Sequence, residues 1–135
     1  MFDTKIAIIV RDDLATWQKL NVTAFLMSGL TGANSDLIGA PYVDRDGNTH
    51  LPMSVQPVIV LTGAANVLTN IRNRARDRGV DTVAYIEEMF ATGHDDVNRA
   101  VFAQHGPDAA NTVGIALRAE KKIVDKITKG AKMHG

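Results

Sequence analysis

The sequence predicts an α/β fold, a three-layer α/β/α sandwich around a mixed, mostly parallel, four-stranded central sheet. Four short runs, Thr4–Val10, Pro57–Leu61, Thr82–Ile86 and Thr112–Leu117, are rich in Ile and Val and nearly unbroken. A strand with one wet face alternates polar and apolar residues, so an unbroken run implies cover on both faces. The segments Leu14–Leu30, Ala64–Arg78 and Arg118–Lys132 read as helices and supply that cover. Their alternation with the strands is the order of a layered α/β domain. At 135 residues and 45% hydrophobic the chain is one domain, residues 1–135, without internal repeat or linker.

The first helix is apolar almost all round from Leu20 to Leu30, interrupted by Asn21, Thr23, Ser28 and Gly29. Such a helix is expected to be buried on several sides, in the core or at a subunit interface. Thr31-Gly32-Ala33-Asn34 is expected to break it. Asp46-Gly47-Asn48 is a turn signature, and Tyr42-Val43 can pair with His50-Leu51 as a small hairpin. In Ala64–Arg78, Val67, Leu68, Ile71 and Ala75 form one apolar stripe, and Gly79 is a C-terminal stop. Asp95–Gln104 reads as a short helix with Val97, Ala100 and Val101 inward, followed by a loop from His105 to Asn111. The last helix turns Ile123, Val124 and Ile127 inward and Lys121, Lys122, Lys126 and Lys129 outward.

Composition excludes several classes. Fifteen Lys and Arg balance fifteen Asp and Glu, so no net field draws in nucleic acid or an anionic membrane. Without cysteine there is no disulfide framework, thiol nucleophile or thiolate-bound metal. No His pair has metal-site spacing, and no cofactor is expected. No run is long enough to span a membrane and the first apolar run is not signal-like, so the expected location is cytoplasmic. If Arg72, Arg74, Arg76 and Arg78 shared a face with the last helix's lysines, that face could attract phosphate at modest salt; the plainer reading is solvated helix exteriors. No aromatic residues interleave with these bases, which disfavours nucleic acid as a partner. The hydrolase-elbow, dinucleotide and phosphate-loop glycine motifs do not occur.

Ligands of open α/β sheets bind at the carboxyl ends of parallel strands, where helix N-termini also point their amides. The first strand ends in Arg11-Asp12-Asp13. Asp13 is placed to cap the following helix, and fixed at a strand end, Arg11 and Asp13 are also placed to orient a polar ligand. Lys19 and Thr23 share one face of that helix; Asn21 and Ser28 share another. Thr and Ser can bond back to a carbonyl one turn earlier, whereas Asn21 cannot easily do so. Asn21 therefore lines a site or an interface, or braces a loop. The third strand ends at Glu87-Glu88, where one carboxylate is a candidate general base if its neighbours raise its pKa; the plainer reading is a solvated or structural side chain.

The run Lys5–Val10 into Arg11-Asp12-Asp13-Leu14, then Lys19 and a small-residue apolar helix, resembles the opening of class II peptidyl-tRNA hydrolases. The strands Pro57–Leu61, Asp81–Ile86 and Thr112–Leu117 and the Lys-rich end follow in the same order. The whole chain is still more similar to a bacterial family of unknown function, domain of unknown function number two thousand, with that fold. The resemblance implies a mixed sheet flanked by helices, and a homodimer. Arg11, Asp13 and Leu14 match the hydrolases' strand-end motif, and Lys19 matches their helix lysine after a one-residue shift. Thr23 then stands where they carry glutamine and Leu26 where they carry histidine. After the third strand, Glu87-Glu88-Met89-Phe90 replaces their aspartate and small glycine turn. Leu26 cannot exchange a proton, so the catalytic pattern is only partly present and the hydrolase activity is expected to be lost or altered.

The resulting expectation is a homodimer that binds a small polar ligand at the strand ends, near Arg11, Asp13, Lys19 and Glu88, with Asn21 and Thr23 on the helix. The first alternative is an active hydrolase of an ester or amide such as peptidyl-tRNA, with Lys19 and Glu88 as acid/base groups. The second is a non-catalytic dimeric interaction module using the apolar first helix.

Overall fold

The structure, a computed structural model describing residues 2–135, begins with β1 (Thr4–Arg11), followed by α1 (Thr16–Ala33). A short hairpin, β2 (Tyr42–Val43) and β3 (Thr49–His50), leads to β4 (Val58–Gly63), α2 (Ala65–Asp77) and β5 (Thr82–Ile86). A 3-10 turn (Glu87–Ala91) and α3 (Asp95–Phe102) precede β6 (Thr112–Glu120), α4 (Lys121–Ile127) and β7 (Lys132–Met133).

Alternate residues of β1 enter opposite cores, which is why its sequence is apolar without a break. Ile6, Ile8 and Val10 pack against Val22, Leu26 and Leu30 of α1. Ala7 and Ile9 pack on the other face against Leu68 and Ile71 of α2 and Val124 and Ile127 of α4. Each such Ile, Leu or Val contributes roughly 1.5–3 kcal/mol by leaving water. The basic helices α2 and α4 thus share a face of the sheet, as the charge pattern allowed.

The expectation of a four-stranded, mostly parallel sheet is corrected. The sheet has five strands in the order β5-β6-β1-β4-β7. It is mixed, as expected, but mostly antiparallel: β1–β4 is parallel, whereas β1–β6, β5–β6 and β4–β7 are antiparallel. Unbroken apolar runs report cover on both faces and say nothing of direction. Direction follows from the connections: residues 87–111 do not cross the sheet, so β6 starts at the end where β5 stops and runs back. β7 was missed because two exposed residues carry no pattern; it pairs Met133 with Leu61 and Lys132 with Thr62.

Several boundaries also move. The Asp12 N–H donates to the Gly63 carbonyl at 2.9 Å, extending the β1–β4 pairing, so α1 begins only at Thr16 with Ala15 as its N-cap. Asp13 is therefore not the cap. The helix runs through Gly32 to Ala33 before it breaks. Its outer positions Trp17, Leu20 and Phe25 are exposed, so in the single chain it is not buried on several sides. Arg118–Glu120, expected as helix, continues β6 opposite Thr4–Ile6. Of the three α3 residues expected to face inward, Val97 and Ala100 are exposed and Val101 is half-buried, because this helix lies beside the sheet's end and not on a face. The hairpin forms as expected, with Tyr42 opposite His50 and Val43 opposite Thr49. Gly79 ends α2 with φ +67°, a conformation that favours glycine. Among the described residues, no helix is long and apolar enough to cross a membrane.

Candidate functional site

β1, β4 and β5 run in one direction and β6 and β7 in the other, so the carboxyl ends of the first three and the amino ends of the last two share a rim. Arg11, the last residue of β1, is only 8% exposed. Its Nε donates to Asp13 Oδ1 at 2.5 Å, and its Nη1 donates to Glu87 Oε2 at 3.5 Å. Burial alone lowers the Arg11 pKa, but the hydrogen bonds to Asp13 and Glu87 and their charges outweigh it and hold the pKa above its ordinary value. Arg11 and Asp13 are thus brought together as expected, and their polar atoms largely satisfy one another.

Glu88 turns the other way. Its carboxylate accepts from Asn111 Nδ2 at 2.7 and 3.1 Å, and His105 Nε2 lies 3.4 Å away. The Glu87 N–H donates to the Asn111 carbonyl at 2.9 Å, tying the end of β5 to the start of β6. Asn111 Oδ1 is buried and has no hydrogen-bond partner among the described residues. Asn111 was not singled out from the sequence and His105 was weighed only as a metal ligand, since only the antiparallel return of β6 carries them to Glu88.

The remaining residues separate. Lys19 Nζ lies 3.2 Å from His134 Nε2, beside the C-terminal strand, and shares no hydrogen-bond partner with Glu88. The proposed acid/base pair of Lys19 and Glu88 is not assembled as a contact. The Thr23 hydroxyl donates back to the Lys19 carbonyl at 2.7 Å and is satisfied within the helix. Asn21 points elsewhere, into a cleft of about 340 Å³ between α1 and the segment from Tyr85 to Asn98.

That cleft is walled by aromatic rings. Phe90 stands edge-on to Trp17 at 5.9 Å and 5.2 Å from Tyr85, and Tyr85 lies 5.7 Å from Phe25. Trp17, Asn21 and Phe25 are successive rungs of one helical stripe, four residues apart. Burial raises the Tyr85 pKa, keeping the phenol neutral. Opposite Asn21, the cleft presents Thr92, His94, Asp95 and Asn98. The aromatic partners were missed because they come from α1, β5 and the 3-10 turn. The 17-21-25 spacing was the available signal for two of them. Among the described residues, no cluster of three His, Asp or Glu side chains forms a metal-ligand set.

The profile of a family described as "Protein of unknown function (DUF2000)" matches residues 4–135. Among solved structures, a protein of unknown function from Agrobacterium tumefaciens strain C58 is similar over 100% of both chains, at 58% identity and a TM-score of 0.99. No protein of curated function matches the chain significantly.

Proposed function

Because the chain belongs to the DUF2000 family of unknown function, we propose its role from the rim itself: it binds a small polar ligand with a flat face in the cleft around Asn21. The observation that carries this reading is the convergence of Trp17, Phe25, Tyr85 and Phe90 on one polar amide. These are four of the chain's seven aromatic residues (one Trp, two Tyr and four Phe). Apolar walls with a few converging polar groups are the usual build of a small-molecule site. Arg11, Asp13 and Glu87 then brace the wall that carries Phe90, with no direct contact to the ligand required of them.

Trp17 is the chain's one tryptophan and is 61% exposed, so its emission reports on the cleft. Titration with adenosine and with nicotinamide, flat rings bearing hydrogen-bonding edges, is expected to change that emission saturably. The change should be lost in Phe90→Ala. Unchanged emission with both probes at millimolar concentration, and no saturation-transfer signal, would remove the reading.

A second reading, hydrolysis of an ester or amide on a class II peptidyl-tRNA hydrolase-like scaffold, is favoured by one observation. Glu88 is oriented by Asn111 and touches His105, an arrangement suited to moving a proton. Cleavage of peptidyl-tRNA or a model ester that disappears in Glu88→Gln supports it; no cleavage by folded wild-type protein eliminates it. The homodimer is proposed to use the β2–β3 arm, where every residue from Ala40 to Leu51 is exposed, Tyr42, Val43 and Leu51 among them.

A further inference from the structure

Four arginines alternate along α2, and the structure gives them different work. Arg74 Nη1 donates to the carbonyls of Ile127 and Lys129 at 3.2 and 2.7 Å, fastening α2 to the end of α4. Arg76 and Arg78 are exposed. Arg72 is half-buried: its guanidinium lies 5.1 Å over the Phe102 ring, and Nη1 donates to the Thr112 hydroxyl at 3.2 Å. Among the described residues no carboxylate forms an ion pair with Arg72. Its pKa is lowered by burial first and by the charge of Arg76 second, with Asp108 opposing. Asp108 is itself engaged by Asn73 Nδ2 at 2.8 Å.

Arg76 Nε lies 3.7 Å from Asp77 Oδ1 in an exposed pair, whereas Arg72 is partly removed from water and has no ion-pair partner among the described residues, so the positive charge left over is that of Arg72. Both arginines face a cleft of about 590 Å³ whose other walls include Phe102, Pro107, Thr82 and Ala84. Asp81 also lines this cleft without pairing to either arginine. Arginine forks match phosphate and carboxylate oxygens two at a time, and the neighbouring ring and proline offer apolar surface. We infer that this cleft is a second ligand site, for a small organic oxyanion held by Arg72 and Arg76 with its apolar body against Phe102 and Pro107. α3 separates it from the Asn21 cleft: Asn98 faces one and Phe102 the other.

The test is titration of the full chain with phenyl phosphate, benzoate, inorganic phosphate and neutral benzyl alcohol, followed by backbone amide shifts. Saturable shifts at Thr82, Ala84 and Phe102 are expected with phenyl phosphate or benzoate, and none with benzyl alcohol. Which anion binds tighter identifies the headgroup. Saturation by inorganic phosphate as well would show that the headgroup suffices. Arg76→Ala, an exposed change that leaves the fold intact, is expected to weaken binding at least tenfold, and Arg72→Met to abolish it. Equal shifts with benzyl alcohol, unchanged affinity in Arg76→Ala, or no saturation by either aromatic anion overturns the inference. Trp17 emission reads the other cleft separately, so failure here is distinguishable from failure of the first site.

Discussion

Asn21 carries the least replaceable chemistry in the first cleft, because its amide is the polar rung between Trp17 and Phe25. Replacing it by leucine keeps the helix and nearly the volume but leaves the ligand's polar edge unpaired. The cost of such an orphaned group is about 1–3 kcal/mol, so Asn21→Leu is expected to weaken a bound probe roughly 5- to 150-fold in the Trp17 titration, with the unfolding midpoint little changed. At this scale the sequence was partly legible. Arg11 and Asp13 stand two residues apart at a strand end, which was legible, whereas the bond between them was not read. Asn21 stood out as a polar side chain without a local partner. The Thr23 hydroxyl bonds back to the carbonyl one turn earlier, as the sequence allowed. Phe90 was read only as part of the run that replaces the hydrolases' glycine turn; its pairing with Trp17 joins residues 73 positions apart and leaves no periodic trace.

Among the elements, the contact of β6 with α1 has the least slack. A Cβ on Gly114 would lie 2.3 Å from Val22 Cγ1 and 3.0 Å from Leu26 Cδ1. Both neighbours are essentially fully buried and cannot step aside, so Gly114→Ala is expected to cost about 1–3 kcal/mol, read as a lower denaturant midpoint at unchanged slope. The segment between α1 and β4 depends instead on carboxylates. Arg118 holds Asp36 through paired bonds at 3.0 and 3.1 Å, and these bonds lower the Asp36 pKa. Backbone N–H donation from Asn48 and the bond from His50 do the same for Asp44 in the hairpin turn. A carboxyl with a depressed folded pKa stabilises fully above the ordinary aspartate range and loses that contribution as pH falls through the folded value. Asp36→Asn is therefore expected to lower the unfolding midpoint at neutral pH and to converge with wild type in acid, once the native carboxyl is protonated too. The strands of the sheet's centre were legible because burial on two faces writes itself into composition. Helix ends were not, because a long-range bond such as Asp12 to Gly63 decides them.

For the whole molecule, the two-layer cover of the sheet was readable and its strand directions were not, since a connection that stays at one end leaves the same composition as one that crosses. The β2–β3 arm raises the question of assembly. A lone two-stranded hairpin is marginal in water, yet this one carries Val43 and Leu51, the latter 87% exposed. Wild-type protein is expected to sediment as a dimer at micromolar concentration, and the double variant Val43→Asp, Leu51→Asp as a monomer with the same thermal midpoint of its core. A monomeric wild type would refute the arm as an interface. The bond from Glu87 to Asn111 has a consequence of another kind. It pins both ends of the excursion between β5 and β6 to adjacent points of the framework, so a change in the excursion's length need not move the strands it joins. Doubling its length would add only about 0.6 kcal/mol of closure entropy. Since it supplies walls to both clefts, substitutions within it reshape those clefts while the strand ends it joins stay in place.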